Sequence, residues 1–366
     1  MMVLVLLLHV LFFITMTDAW HKTDVLNSYT HSTKKCMNIM TSSNEIVVPK
    51  LIFGHIFKTG GSSLRAIFRE YAQICSYSLM VVVGCKEDNM RKSLDNSSLT
   101  CELKDKKRRN SGLKRVSSGK RAGIPVSMLR ESDIVIGHLP VGLFHHAYTP
   151  GIASTPSPEQ STNEYHMSNP PKEHPHILVT WLRDPFSMIV SAALYIADDD
   201  DLSMVEAIDA VMNQIKYKTY TDSKQYSTYV SYLLPGGHVR ARTMNDKEED
   251  IRLVKKSLDS YTVIGLLERH TESVKMLGAV LDPSHSLGSK FWEKMSEKEA
   301  NISPHAHITG AKVVTSASVR AYIRNNATLT AYLNEKLQME YEIYNYGVKL
   351  HDKIRNKTLA DTVANS

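Results

Sequence analysis

Cysteine is scarce in this sequence: Cys36, Cys75, Cys85 and Cys101 are the four, and no two stand as Cys-x-x-Cys. Those spacings exclude the common zinc-binding patterns and a thioredoxin-like redox motif. The loop Gly-x-x-x-x-Gly-Lys-[Ser/Thr], which nucleoside-triphosphate enzymes place under their phosphates, is also missing. No internal repeat is visible, which argues against a solenoid or propeller. The most apolar stretch, Val3 to Met16, falls short of the about 20 residues a spanning helix needs. What remains is globular in composition. The 366 residues are 42% hydrophobic, enough for a sizeable core in two ordinary domains or one large α/β domain. A net charge of +6 favours an anionic partner.

The N-terminal apolar stretch ends in Thr17-Asp18-Ala19, a small-residue cleavage pattern, but has no basic residues ahead of it. We read residues 1–19 as a signal peptide or short signal-anchor, which implies entry to the secretory pathway and membrane anchoring if it is retained. In an oxidising compartment the four cysteines could form two disulfides, with three pairings open. Sequons at Asn96, Asn301, Asn326 and Asn356 agree with a glycoprotein. Residues 20–48 read as a polar stem.

From Pro49 the pattern is that of a folded domain. "KLIFGHIF" is a strand-length apolar run, and "SSLRAIFREYAQI" puts Leu64, Ile67, Phe68 and Tyr71 on one helix face, with Ser62 as N-cap. "SDIVIGHLP" is a second strand, ending at His138. "HILVTWL" is a third, followed by Asp184-Pro185 as a helix start. "YTVIGLLE" is a fourth, with a helix from about Thr271. Helix patterns also occupy 202–216, 246–258 and 328–352, and 353–366 reads as a tail. Residues 86–123 hold few large apolar groups and a basic excess, which reads as an exposed insertion able to face a polyanion. Asp198 to Asp201 read as a solvated helix start, because four adjacent carboxylates cannot converge on one ion. Strands alternating with helices predict an α/β fold with a central parallel sheet and helices on both faces. Ligands in such folds bind beyond the carboxyl ends of the strands.

The loop between the first strand and helix carries Lys58, Thr59, Gly60, Gly61, Ser62 and Ser63. Small residues entering a helix expose N–H groups at the positive end of its dipole, a site for phosphate-like anions. The glycines allow close approach, the hydroxyls add donors and Lys58 adds charge. Arg183, at the end of a later strand, and Ser191, eight residues on, could hold a second anionic group. A ligand with two separated anions fits this pair of motifs.

"HIFKTGGSSL" resembles the 5′-phosphosulfate loop of sulfotransferases that use 3′-phosphoadenosine 5′-phosphosulfate (PAPS), and most of all the Golgi carbohydrate group. "LRDPFSMIVSAALY" is similar to that family's 3′-phosphate element. "IGHLPVGL" resembles the segment with the proposed base in the heparan and uronyl 2-O-sulfotransferase branch, and "VIGLLERHTESVKML" a later strand–helix unit. The likeness runs from about residue 50 to 350, interrupted at 86–123. Phe57 departs from it, since the family commonly has proline before the lysine.

The resemblance implies a P-loop-NTPase-like sulfotransferase fold over 49–352 and transfer of a sulfuryl group from PAPS to a glycan hydroxyl in the Golgi lumen. It implies Lys58 as charge stabiliser and His138 as base. Thr59, Gly60, Gly61, Ser62, Ser63, Arg183 and Ser191 would hold the nucleotide, and Lys312 would lie near it. The scheme requires no metal and no nucleic acid. Read from the residues alone, His55 is a core histidine, His145 and His146 would face opposite ways, and His305 and His307 would share a face. Two other readings stay open: a non-catalytic binder of acidic glycans, and a P-loop nucleotide kinase.

Overall fold

The structure is a computed structural model. It describes residues 36, 39–40, 46–47, 49–85, 98–103, 122–125, 131–138, 176–197, 202–218, 227–234, 247–283, 286–300 and 314–364. Four apolar runs form its centre as parallel strands: β3 (Lys50–Gly54), β7 (Ile134–Gly137), β8 (His176–Leu182) and β9 (Val263–Leu266). A fifth parallel strand is β4 (Leu79–Cys85). In β7 and β9, and in β3 beyond Lys50, the side chains are buried on both faces, which is why these runs are continuously apolar rather than alternating. With β5 (Ser98–Leu103) and β6 (Ala122–Pro125), the order in the seven-stranded sheet is β6-β5-β4-β7-β3-β8-β9. This is a mixed α/β fold with a central parallel sheet flanked by helices.

The two outer strands are antiparallel; β5 and the first two residues of β6 come from the basic insertion. Part of that insertion therefore extends the sheet rather than lying outside it. The stem likewise holds a small antiparallel pair, β1 (Ile39–Met40) with β2 (Ile46–Val47).

Alternation along the strands sorts the core. Leu51, Phe53, Ile136, Val179 and Trp181 face one side and pack on α1 (Gly61–Ile74), α6 (His270–Leu281) and α7 (Ser289–Ala300). Leu182, Ile264 and Leu266 face the other, against α4 (Thr228–Leu233), α5 (Lys247–Leu258) and α10 (Gln338–Ala364). A third cluster joins α2 (Pro185–Ala197), α3 (Met204–Lys218), α8 (Ser316–Arg324) and α9 (Ala327–Lys336). The single helix expected over 328–352 is two, α9 and α10, broken at Leu337. The second runs to Ala364, so most of the expected tail is helical.

Asn326 caps α9 by accepting from Leu329 N, and Asn356 lies within α10. Asn96, Asn301 and Asp198 to Asp201 lie outside the described residues.

Membrane anchoring is not upheld: among the described residues no helix is long and apolar enough to cross a membrane. Residues 1–19, which suggested it, lie outside the described residues.

Cys36 and Cys75 form a disulfide that ties the stem to the end of α1. Closing a loop 39 residues long stabilises the fold by about 4 kcal/mol in the chain-entropy account. The backbone register sets Cys85 on β4 directly opposite Cys101 on β5. Cα atoms of such antiparallel partners lie about 4.5–5.5 Å apart, within disulfide reach. Cys36 and Cys75, the cysteines whose side chains are described, are both taken up in the first bond. The unreduced, denatured protein is therefore expected to take up no thiol label. Uptake at Cys85 and Cys101 would show that register alone does not join them.

Candidate active site

The chain crosses from β3 to β4 on one side of the sheet and returns to β8 on the other. The carboxyl end of β3, between β7 and β8, is thus where strand order reverses, the usual ligand crevice of an open α/β sheet. The carboxyl ends of β3, β7, β8 and β9 all lie along that edge.

Helix α1 begins at Gly61, not after a Ser62 cap. Its N-cap is Gly60, left-handed at φ 86°, with no side-chain capping bond. Both glycines answer to protein neighbours. A Cβ on Gly60 would sit 2.7 Å from Leu267 Cδ1, and one on Gly61 would sit 1.9 Å from His55 Nε2. Ser63 N and Leu64 N donate to the Gly60 carbonyl at 3.1 and 3.2 Å, so the N–H groups of Gly61 and Ser62 are the ones that precede the helix's own ladder, at the positive end of its dipole. Thr59 is fully buried and its hydroxyl donates to the Ile56 carbonyl at 2.9 Å. In this structure its proton closes the turn. Ser63 is half-buried at the start of α1.

Lys58 has φ 63°, in the left-handed region that a side chain resists. Its carbonyl accepts from Arg183 Nη1 at 3.0 Å. That contact joins the β3 loop to the β8 loop, bringing together the two basic elements singled out in the sequence. Burial, and then the nearby Arg183 charge, push the Lys58 ammonium down to about 8. It still carries its charge at neutral pH.

Arg183 is held from behind. Its N–H donates to Tyr229 Oη at 3.2 Å, and the Tyr229 hydroxyl donates back to its carbonyl. The next N–H, of Asp184, donates to Glu268 Oε1 at 2.8 Å. Glu268 also accepts from Tyr344 Oη at 3.0 Å, so α10 braces the loop through the turn after β9. Asp184 caps α2, accepting from Ser187 N at 2.8 Å, as its place before Pro185 predicted. Ser191 lies on α2 and is buried.

His138 ends β7. Its ring stands 4.1 Å from the His55 ring, and its Nδ1 is 2.9 Å from the His55 carbonyl oxygen. A carbonyl only accepts, so Nδ1 carries the proton and Nε2 presents a lone pair. Burial pushes His138 down to about 4. The bond to His55 works against this, and the Arg65 charge adds to it. His55 is buried with no hydrogen-bond partner at either ring nitrogen. Burial, followed by the charges of His138, Arg65 and Lys58, holds it neutral.

Lys58, Gly60, Gly61, Arg183 and His138 thus gather at one end of the sheet. Sequence reasoning missed Glu268, Tyr229 and Tyr195, and gave His55 no part beyond the core. The only signal for Glu268 was its place just after a strand. His145, His146, His305, His307 and Lys312 lie outside the described residues, and nothing is described of the Ser62 side chain.

A second cluster overturns the expectation of no metal. Glu272 on α6 and His351 and Asp352 on α10 bring ligand atoms within 4.8 Å of one another, a set able to coordinate a cation. His351 is fully buried. Its Nδ1 donates to the Ile264 carbonyl at 2.8 Å, and its Nε2 faces Glu272 Oε1 at 2.9 Å. Arg269 reaches Asp352 at 2.7 Å and Arg355 reaches Glu272 at 3.3 Å, so a bound cation would compete with two guanidiniums. Glu272 and His351 are 79 residues apart, which hid the cluster from any spacing rule.

Compared with known protein families and with curated proteins, the chain matches none.

Proposed function

We propose that this chain is a sulfotransferase on a P-loop-like α/β fold, moving a sulfuryl group from PAPS to a glycan hydroxyl. The observation that carries the reading is the Arg183–Lys58 contact at the β3 switch point, with His138 on the adjacent strand. A half-buried lysine and the mouth of α1 suit one anionic group, and Arg183 suits a second. In a nucleotide carrying both a 5′-phosphosulfate and a 3′-phosphate, these groups are separated by a ribose.

The residues divide the work. Lys58 and the first N–H groups of α1 bind the 5′ end and offset charge that grows on the leaving phosphate oxygen. Arg183, braced by Tyr229 and Glu268, holds the 3′-phosphate. His138 Nε2 takes the acceptor proton as its oxygen bonds to sulfur. The donor supplies the electrophilic sulfur. The S–O bond to phosphate breaks, leaving a sulfate ester, 3′-phosphoadenosine 5′-phosphate and a protonated His138. The Cys36–Cys75 disulfide supports an oxidising compartment such as the Golgi lumen.

The test is thermal unfolding of the full chain with 3′-phosphoadenosine 5′-phosphate, ADP or ATP-magnesium. At 100 times its Kd, a ligand adds about 2.7 kcal/mol. The expected result is a rise in Tm with the 3′-phosphorylated nucleotide alone. A larger rise with ATP-magnesium would instead support a kinase. Binding of heparin with no nucleotide response would support a glycan-binding protein.

A further inference from the structure

Phe57 stands where the resembled family commonly has proline, and its ring meets that of Tyr195 edge to face, centroids 5.8 Å apart at 70°. Lys58 Nζ lies 4.1 Å from the Tyr195 centroid and 5.9 Å from that of Phe57. On its other side Phe57 approaches the His138 ring, at 6.2 Å between centroids. Tyr195, near the end of α2, is a large aromatic left 51% exposed. The backbone of Lys58 is fixed by its left-handed turn and by Arg183, but its four-carbon stem is flexible. A π face at about 4 Å attracts an ammonium and gives that stem one favoured end point.

We propose that Tyr195, set edge-on against Phe57, is a positioning residue: its ring face is the seat that holds the Lys58 ammonium ready for an anion at the mouth of α1. The consequence for turnover rests on the sulfuryl-transfer reading, while the seat itself does not. The seat favours the charged lysine, opposing burial and the push from Arg183. The other titratable or charged groups nearby are His55 and Arg65, which sense Lys58 and Tyr195 respectively, and His138 beside Phe57.

Simple deletion of the ring would mix two effects, because it also wets the ammonium. The test therefore keeps the ring and changes its charge distribution. Phenylalanine and pentafluorophenylalanine are each installed at position 195 in the full chain. Acetylation of Lys58 is followed against pH by peptide mass spectrometry, and Kd for 3′-phosphoadenosine 5′-phosphate by calorimetry. Tyr195→Phe should match the wild type. The fluorinated ring, of similar size but with its negative face removed, should move the Lys58 labelling midpoint down by about half a pH unit and weaken the nucleotide severalfold. A purely structural ring would leave both unchanged. An unchanged midpoint, or an unchanged Kd, with the fluorinated ring overturns the proposal. A wild type that ignores the nucleotide would instead end the sulfuryl-transfer reading, and the labelling would still decide the seat.

Discussion

Lys58→Ala is expected to lower kcat for sulfuryl transfer by about a hundred- to a thousandfold, the usual loss when one donor to a developing anion is removed. The loss should be chemical rather than structural. The Lys58 side chain is half-buried over an exposed ring, and its backbone carbonyl, which holds Arg183, survives the change. The left-handed φ of 63° supplies a control. Glycine adopts that conformation without the penalty a Cβ carries. Lys58→Gly should therefore be as inactive as Lys58→Ala while unfolding at a temperature no lower. If Lys58→Gly kept activity, the ammonium would have no part in the chemistry. If both variants unfolded early, the lysine would be a packing residue.

His138→Asn should cost about a hundred- to ten-thousandfold in kcat, the range for a positioned general base. Asparagine can still donate to the His55 carbonyl but has no basic nitrogen, so nucleotide affinity should be nearly kept. Measured against pH, kcat/KM of the wild type should be flat between two limbs. Below about pH 4 His138 gains a proton and can no longer accept one. Above about pH 8 Lys58 loses its charge. Stability follows the same histidine. Its folded pKa lies below the ordinary 6.5, so between about pH 4 and 6.5 the unfolded chain binds more protons. The contribution from a neutral His138 is complete above pH 6.5 and declines as pH falls through that window. An acid limb near 6.5 in kcat/KM would show that the base is a solvated histidine rather than this one.

Local rules accounted for much of the framework. All five parallel strands are apolar runs of strand length, because a sheet covered on both faces needs side chains that are apolar on both; sequence reasoning found four of them and missed β4, LMVVVGC. The start of α2 at Asp184-Pro185 was legible because a cap and a fixed proline φ act within one turn. The start of α1 was misread: Ser62 has the chemistry of a cap, but Gly60 takes the left-handed turn that Leu267 and His55 leave room for. The 86–123 segment looked like open loop, since edge strands such as β5 and β6 draw on partners already in the sheet rather than on their own apolar pattern.

By itself, then, the sequence determined the alternation of strands and helices and the residues that could hold an anion. Both depend on side chains within a few positions of one another. Tertiary structure decided what those residues touch. The order β7-β3-β8 set three strand ends side by side. It brought Arg183 onto the Lys58 carbonyl 125 residues away, and His138 onto that of His55, 83 residues away. The same long-range closure chose Cys36 for Cys75, and assembled Glu272, His351 and Asp352 behind β9. Contacts of that kind depend on which strand ends become neighbours, and no local period of the chain encodes that.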